Sequence, residues 1–166
     1  MFKYKNYLLP VVPISTGIAY ATKKGKMARS GPIIVVEDDI DDQETFREVV
    51  EELGMKNQLI YFDNTLGAMQ FLMIGDVQPF IIFCDVNLPM QNGLAFKKEI
   101  DGNPALRRKS IPFVFYTTTV TKQSVDEAYM NYTVQGFFQK PDTYSEIRAM
   151  LTLIFEYWKL CRHPNS

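Results

Sequence analysis

The sequence predicts an open, doubly wound α/β sheet, and two observations lead to that fold class. First, three apolar runs of strand length, Ile33-Ile34-Val35-Val36, Phe80-Ile81-Ile82-Phe83-Cys84 and Phe113-Val114-Phe115-Tyr116, show no polar alternation, as expected for parallel strands covered on both faces. Second, the segments between them have the period of amphipathic helices. In order, the first strand leads to a helix with Phe46, Val49, Val50 and Leu53 at i, i+3, i+4 and i+7. Asp41-x-x-Glu44 reads as its capping box and Gly54 as its stop. Weaker apolar character over 58–62 predicts a second strand, followed by a helix near 66–74. The second long run is then the third strand, with a helix near 94–100 behind it, and the third long run is the fourth strand, with a helix over 122–131. A fifth strand over 134–139 precedes a helix carrying Ile147, Met150, Leu151, Ile154 and Trp158 and ending near Leu160.

At 166 residues and 46% hydrophobic content the chain suits a single domain with a sizeable core. Its formal net charge of -1 hides an asymmetry. Residues 1–30 hold six of the eighteen basic residues and no acidic one, leaving twelve basic against nineteen acidic residues, about -7, over 31–166. We therefore expect a basic, flexible extension over 1–30, a folded body over 31–161 and a tail over 162–166. An acidic body argues against nucleic-acid binding. The opening 26 residues have basic residues first, an apolar middle and Ala19-Tyr20-Ala21, like a secretory signal, but Pro10 and Pro13 interrupt an apolar stretch too short to span a bilayer. Met27 could serve as an alternative start, so residues 1–26 read as dispensable, with weak attachment to the body or to an acidic surface as the functional alternative; no membrane role and a cytoplasmic location are expected for the body. Cys84 and Cys161 are too few for a disulfide framework. The single histidine, His163, lies in the polar tail, which excludes a multi-histidine metal site.

The stretch "VVEDDIDDQE" packs six acidic side chains into positions 37–44, directly behind the first strand. Carboxylates crowded this way raise the cost of ionising one another unless positive charge is supplied. Asp41, Asp42 and Glu44 read as a solvated first turn complementing the helix dipole, with Asp39 near the N-cap. That leaves Glu37 and Asp38. In doubly wound sheets ligands bind beyond the carboxyl ends of the strands, and the residues there are Glu37 and Asp38, then Asp85, Thr117 and Lys140. Carboxylates, a hydroxyl and an ammonium converging on one crevice suit a hard divalent cation such as Mg2+ with a phosphate oxygen. Tyr129, Tyr132, Phe155 and Trp158, at helical spacing, read as mostly core.

The motifs "VVEDD", "CDVNLPMQNG", "FYTTT" and "GFFQKP", in this order at strand ends, resemble the receiver domain of two-component response regulators over about residues 31–160. The resemblance implies a flavodoxin-like, five-stranded parallel sheet of order 2-1-3-4-5 with helices on both faces. It makes Asp85 the phosphoacceptor, gives Mg2+ to Glu37, Asp38, Asp85 and the backbone carbonyl of Asn87, pairs Lys140 with the phosphoryl group and makes Thr117 the switch hydroxyl. Pro89, Gly93 and Pro141 match the loop pattern. Phe137 falls at the position of the switch aromatic but has no hydroxyl, Thr118 stands where a small residue is usual, and Ile40 replaces a common proline.

The resemblance further implies a phosphoacceptor with slow self-dephosphorylation rather than an enzyme. Its donor would be a histidine kinase or histidine phosphotransfer protein, and its output a downstream protein or a homodimer contact through the fourth helix, fifth strand and fifth helix. "EDDIDDQETF" and "DEAYMNYTVQGFFQKP" are similar to stand-alone receivers, and "CRHPNS" after the last helix is too short for an output domain. Two other readings compete. A metal-dependent phosphohydrolase with an aspartyl nucleophile needs a carboxylate closely following it, where this chain has Asn87. A non-phosphorylated binding module would not need all five site residues.

Overall fold

Neighbouring parallel strands must be joined by a crossover, and here each crossover contains a helix. The computed structural model describes residues 30–74 and 77–162. Strands β1 (Ile33–Val36), β2 (Leu59–Phe62), β3 (Ile81–Cys84), β4 (Phe113–Thr117) and β5 (Gly136–Gln139) form one sheet in the order β2-β1-β3-β4-β5, every pair parallel. The flavodoxin-like order is the observed one. The helices are α1 (Ile40–Glu52), α2 (Thr65–Met73), α3 (Gly93–Gly102), α4 (Lys122–Asn131) and α5 (Tyr144–Leu160), with a short helix Pro104–Lys109 after α3.

Period-two alternation sorts the strand side chains into two cores. Ile34 and Val36 face Ala68, Leu72, Phe96, Ile100 and Ala128 from α2, α3 and α4. Ile33 and Val35 face Phe46, Val49, Leu151 and Phe155 from α1 and α5. Phe83 on the central strand meets Phe46 edge-on at 5.0 Å and Phe155 at 5.9 Å. The edge strands β2 and β5 are only half-buried along most of their length, which is why their apolar signal is the weakest of the five.

Several local expectations change. The N-cap of α1 is Asp39, in extended conformation, whose carboxylate accepts from Asp41 N (2.8 Å) and Asp42 N (3.2 Å). Asp41 and Glu44 lie inside the helix, and Glu44 binds Arg47 at 2.7 Å instead of closing a capping box. Gly54 does follow the helix, at φ 66°, as a left-handed stop requires. The short helix was not expected. Asn103, at the end of α3, caps it by accepting from Ala105 N and Leu106 N, with Pro104 in its first turn. Tyr129 is 55% exposed rather than core, and its hydroxyl accepts from Phe137 N at 3.1 Å. Tyr132 is half-buried; Phe155 and Trp158 are buried. Cys84 is buried and Cys161 half-buried, and neither is in a disulfide. The extension apart from Ser30, His163 and the rest of the tail beyond Arg162 lie outside the described residues. Among the described residues no helix is long and apolar enough to cross a membrane.

One buried cation lies by the start of β4 rather than at the carboxyl ends of the strands. Lys97, 2% exposed, donates to Asp101 Oδ1 (2.9 Å) and Thr133 Oγ1 (3.0 Å), with its ammonium 5.0 Å from the centroid of the Phe113 ring. Asp101 also accepts from Thr133 N (2.9 Å) and Thr133 Oγ1 (2.6 Å), which ties α3 to the α4–β5 connection. Burial pulls the Lys97 ammonium below the usual lysine range. Removing one partner of a buried pair costs most when the partner left behind is the more buried one. Asp101→Ala should therefore cost about 3 kcal/mol in urea unfolding, and Lys97→Met less than about half of that, because Asp101 keeps both Thr133 bonds. A Lys97→Met loss equal to that of Asp101→Ala would contradict this ordering.

Candidate functional site

The sheet order reverses between β1 and β3, the place beyond whose strand ends doubly wound sheets bind ligands. The ladder runs one residue past the strands. Glu37 N donates to Phe62 O (2.9 Å), Asp85 N to Val36 O (3.0 Å) and Lys140 N to Thr117 O (2.8 Å). These bonds fix the backbones of Glu37, Asp85 and Lys140 at the ends of β1, β3 and β5, beside Thr117, the last residue of β4.

The side chains meet at the Lys140 ammonium. Its Nζ donates to Glu37 Oε2 at 2.5 Å, Asp42 Oδ2 at 2.7 Å and Asp85 Oδ2 at 3.1 Å, and the lysine side chain is 5% exposed. Asp85 Oδ1 accepts from Asn87 N (2.8 Å) and from Thr117 Oγ1 (2.6 Å), so both oxygens of this carboxylate are held. The fully buried Thr117 hydroxyl accepts in turn from Asn87 Nδ2 at 3.3 Å. Glu37 Oε1 accepts from Asp39 N (3.2 Å), and Gln43 Nε2 donates to the Glu37 carbonyl (2.6 Å).

Burial pushes the Glu37 carboxyl up to about 7; Lys140 opposes the shift and Asp85 reinforces it. For Lys140 burial alone would lower the ammonium, but its hydrogen bonds to Asp42 and Glu37 and the charge of Asp85 outweigh burial and hold it above the lysine range. The Tyr116 ring lies 5.7 Å from the ammonium. A cleft of about 410 Å³, lined by Asp42, Tyr116, Thr118, Gln139 and Tyr144, opens beside Lys140.

The β3–α3 loop returns beneath Asp85. Gly93 N donates to Val86 O at 2.9 Å, and a Cβ on Gly93 would lie 2.2 Å from Asp85 O and 3.0 Å from Cys84 Sγ. Only glycine permits that approach. Met90 at the loop tip has φ 67° and is exposed, while Asn92 caps α3 by accepting from Ala95 N.

Of the residues singled out in the sequence, Glu37, Asp85, Asn87, Thr117 and Lys140 form one hydrogen-bonded cluster. Asp38 is exposed at its edge. Phe137 is half-buried and packs on Phe115 at 5.3 Å, in the core beneath α2, α3 and α4. Asp42 was expected to be a solvated first-turn acid and is instead a partner of Lys140. The signal for it was its spacing: Asp42 lies four residues before the core residue Phe46 and so shares the inward face of α1.

Among the described residues, no three His, Cys, Asp or Glu side chains are already arranged to hold a metal ion. The donor chemistry fits a hard cation nevertheless. Glu37, Asp42 and Asp85 place three carboxylates around a single ammonium, and Asp38 adds a fourth at the same strand end, so the oxygen donors carry surplus negative charge. A carboxylate held between a hydroxyl, an amide N–H and an ammonium beside such surplus charge is suited to accept a phosphoryl group once a cation neutralises it.

Over residues 33–152 the chain matches the family described as response regulator receiver domain. It is 30% identical over 131 residues to response regulator Rcp1 of Synechocystis sp., covering 76% of this chain and 87% of that protein. It is 27% identical over 128 residues to the probable C4-dicarboxylate response regulator DctR of Halalkalibacterium halodurans, covering 76% of this chain but only 52% of that relative. The crystal structure of the Mn(2+)-bound form of Rcp1 superposes with a TM-score of 0.71 at 28% identity, covering 81% of this chain and 99% of that one.

The Gly93 contact gives a direct test of how the loop positions Asp85. Gly93→Ala should cost about 1–3 kcal/mol, because an added methyl against a backbone carbonyl forces a main-chain shift. The shift should displace the Asp85 N and Asn87 N resonances in NMR spectra. A stable Gly93→Ala protein with both resonances unmoved would show that the close approach is not needed.

Proposed function

Because the chain belongs to the response regulator receiver domain family, we propose that it accepts a phosphoryl group on Asp85 from a histidine kinase or histidine phosphotransfer protein, in a Mg2+-dependent reaction, and signals by changing a partner-binding face. The observation that supports this most is the Asp85 carboxylate itself, both of whose oxygens are held by groups that can follow a phosphoryl group: Thr117 Oγ1 and Lys140 Nζ.

In the reaction an Asp85 oxygen bonds to phosphorus as the donor's P–N bond breaks. The electron pair goes to the histidine nitrogen, which takes up a proton from water. Glu37, Asp38, Asp85 and the Asn87 carbonyl would hold Mg2+, which when bound neutralises carboxylate and phosphoryl oxygens. The binding of Mn2+ by the relative Rcp1 is in keeping with that donor set. Lys140 then pairs with a phosphoryl oxygen. Thr117 exchanges its bond to Asp85 for one to the phosphoryl group and draws the β4–α4 loop with it. Phe137, without a hydroxyl, follows through its packing on Phe115.

The readout face is α4, β5 and α5, where Tyr129, Met130, Leu153 and Tyr157 are exposed. It would receive a downstream protein or a second copy of the chain. Turnover of many phosphates is disfavoured because Asn87 places an amide, bonded to Thr117, where a phosphohydrolase needs an acid/base carboxylate. The exposed Thr118 and Thr119 add no charged base either, so self-dephosphorylation should be slow.

Incubation with acetyl phosphate and Mg2+, read by intact mass, should add one phosphoryl group that persists for minutes or longer. The label should be absent after chelation of the metal and in Asp85→Asn. Undiminished labelling of Asp85→Asn would overturn the assignment.

A further inference from the structure

We propose that Asp42 is a positioning residue for Lys140: it keeps the ammonium paired while Glu37 and Asp85 turn their oxygens to the divalent cation and the phosphoryl group, and it thereby strengthens Mg2+ binding. The inference rests on the receiver reading above and adds to it a residue outside the set that the family resemblance supplied.

The geometry singles out Asp42. An ammonium has three N–H donors, and here they go to Glu37, Asp42 and Asp85. Two of those acceptors are ones the reaction draws on. The third, Asp42, comes from the first turn of α1 rather than from a strand end, and no step consumes it. Its 2.7 Å contact is shorter than the 3.1 Å contact to Asp85. With its side chain 39% exposed against 5% for the lysine, Asp42 keeps contact with water and can hold a cation without being fully desolvated.

Consider the site without it. Lys140 would lean on Glu37 and Asp85 alone, and a metal drawing on those carboxylates would leave a buried ammonium with no anion to turn to. An uncompensated buried charge is costly, so the lysine would compete with the metal. With Asp42 present the ammonium retains a partner throughout.

Calorimetric Mg2+ titration of the full chain tests this. Asp42→Asn should raise the Mg2+ dissociation constant about tenfold, as loss of a group that orients a metal site typically does. Asp41→Asn removes the same charge one residue away, from an exposed carboxylate, and should change it less than about threefold. In a Lys140→Met background, Asp42→Asn should change it by no more than about twofold, because its effect runs through the lysine. Asp42→Glu should recover part of the lost affinity.

Equal effects of Asp42→Asn and Asp41→Asn, or an undiminished Asp42→Asn effect beside Lys140→Met, would overturn the proposal. Should Lys140→Met lack a cooperative unfolding transition, the Asp42→Asn and Asp41→Asn comparison with Asp42→Glu decides alone. Acetyl phosphate labelling of the same samples separates the two levels. Wild-type protein that takes the label, with a Mg2+ affinity indifferent to Asp42, defeats this inference only; protein that takes none defeats the receiver reading as well.

Discussion

A single buried ammonium, Lys140, holds together carboxylates that the fold gathers from distant parts of the chain, and the arrangement of the chain follows from keeping it there. Lys140 leaves an edge strand and must reach the ends of β3 and β1, so its partners Asp85 and Glu37 stand 55 and 103 positions away in sequence. Such contacts exist only when β1, β3, β4 and β5 are paired in register. The ladder bonds that extend beyond the strands to Glu37, Asp85 and Lys140 place the charges before any side chain is chosen. Folding and assembly of the site are thus one event.

The same geometry connects the site to the surface. Thr117 is fully buried and bonded to Asp85, yet the next residues, Thr118 to Val120, are exposed and lead into α4. A small displacement of that hydroxyl therefore has a route to solvent. At its other end α4 is held by Thr133 to the buried Lys97–Asp101 pair and by Tyr129 to the β5 backbone. On the proposed switching at Thr117, α4 would pivot about this held end rather than slide.

Much of this was legible in the sequence, for identifiable reasons. The runs in β1, β3 and β4 are apolar throughout because both faces are covered, so they could be read without ambiguity. β2 and β5 were dimmer because an edge strand buries less. Strand ends are fixed by strand runs, so Glu37, Asp85, Thr117 and Lys140 could be named from the sequence. The failures also have causes. Within Asp38-Asp39-Ile40-Asp41-Asp42 any acid could cap a helix, and only the extended backbone at Asp39 decides which one does. Six residues cannot sustain a helical period, so Pro104–Lys109 gave no signal. Asp42 was lost among its charged neighbours because a run of acids is ordinarily solvated, and its inward aim shows only against Phe46. Tyr129 has helical spacing, but Ser124 and Ala128 are the residues that α4 buries.

The central claim is that the surplus negative charge around Lys140 is completed by one divalent cation. Urea unfolding across a Mg2+ series tests it most directly. Stability of the wild-type chain should rise by about 1.4 kcal/mol for each tenfold increase in Mg2+ above the dissociation constant, as single-site binding to the folded state requires. The rise should be absent in Asp85→Ala over the same range. A wild-type stability that ignores Mg2+, or an equal rise in Asp85→Ala, would contradict the account.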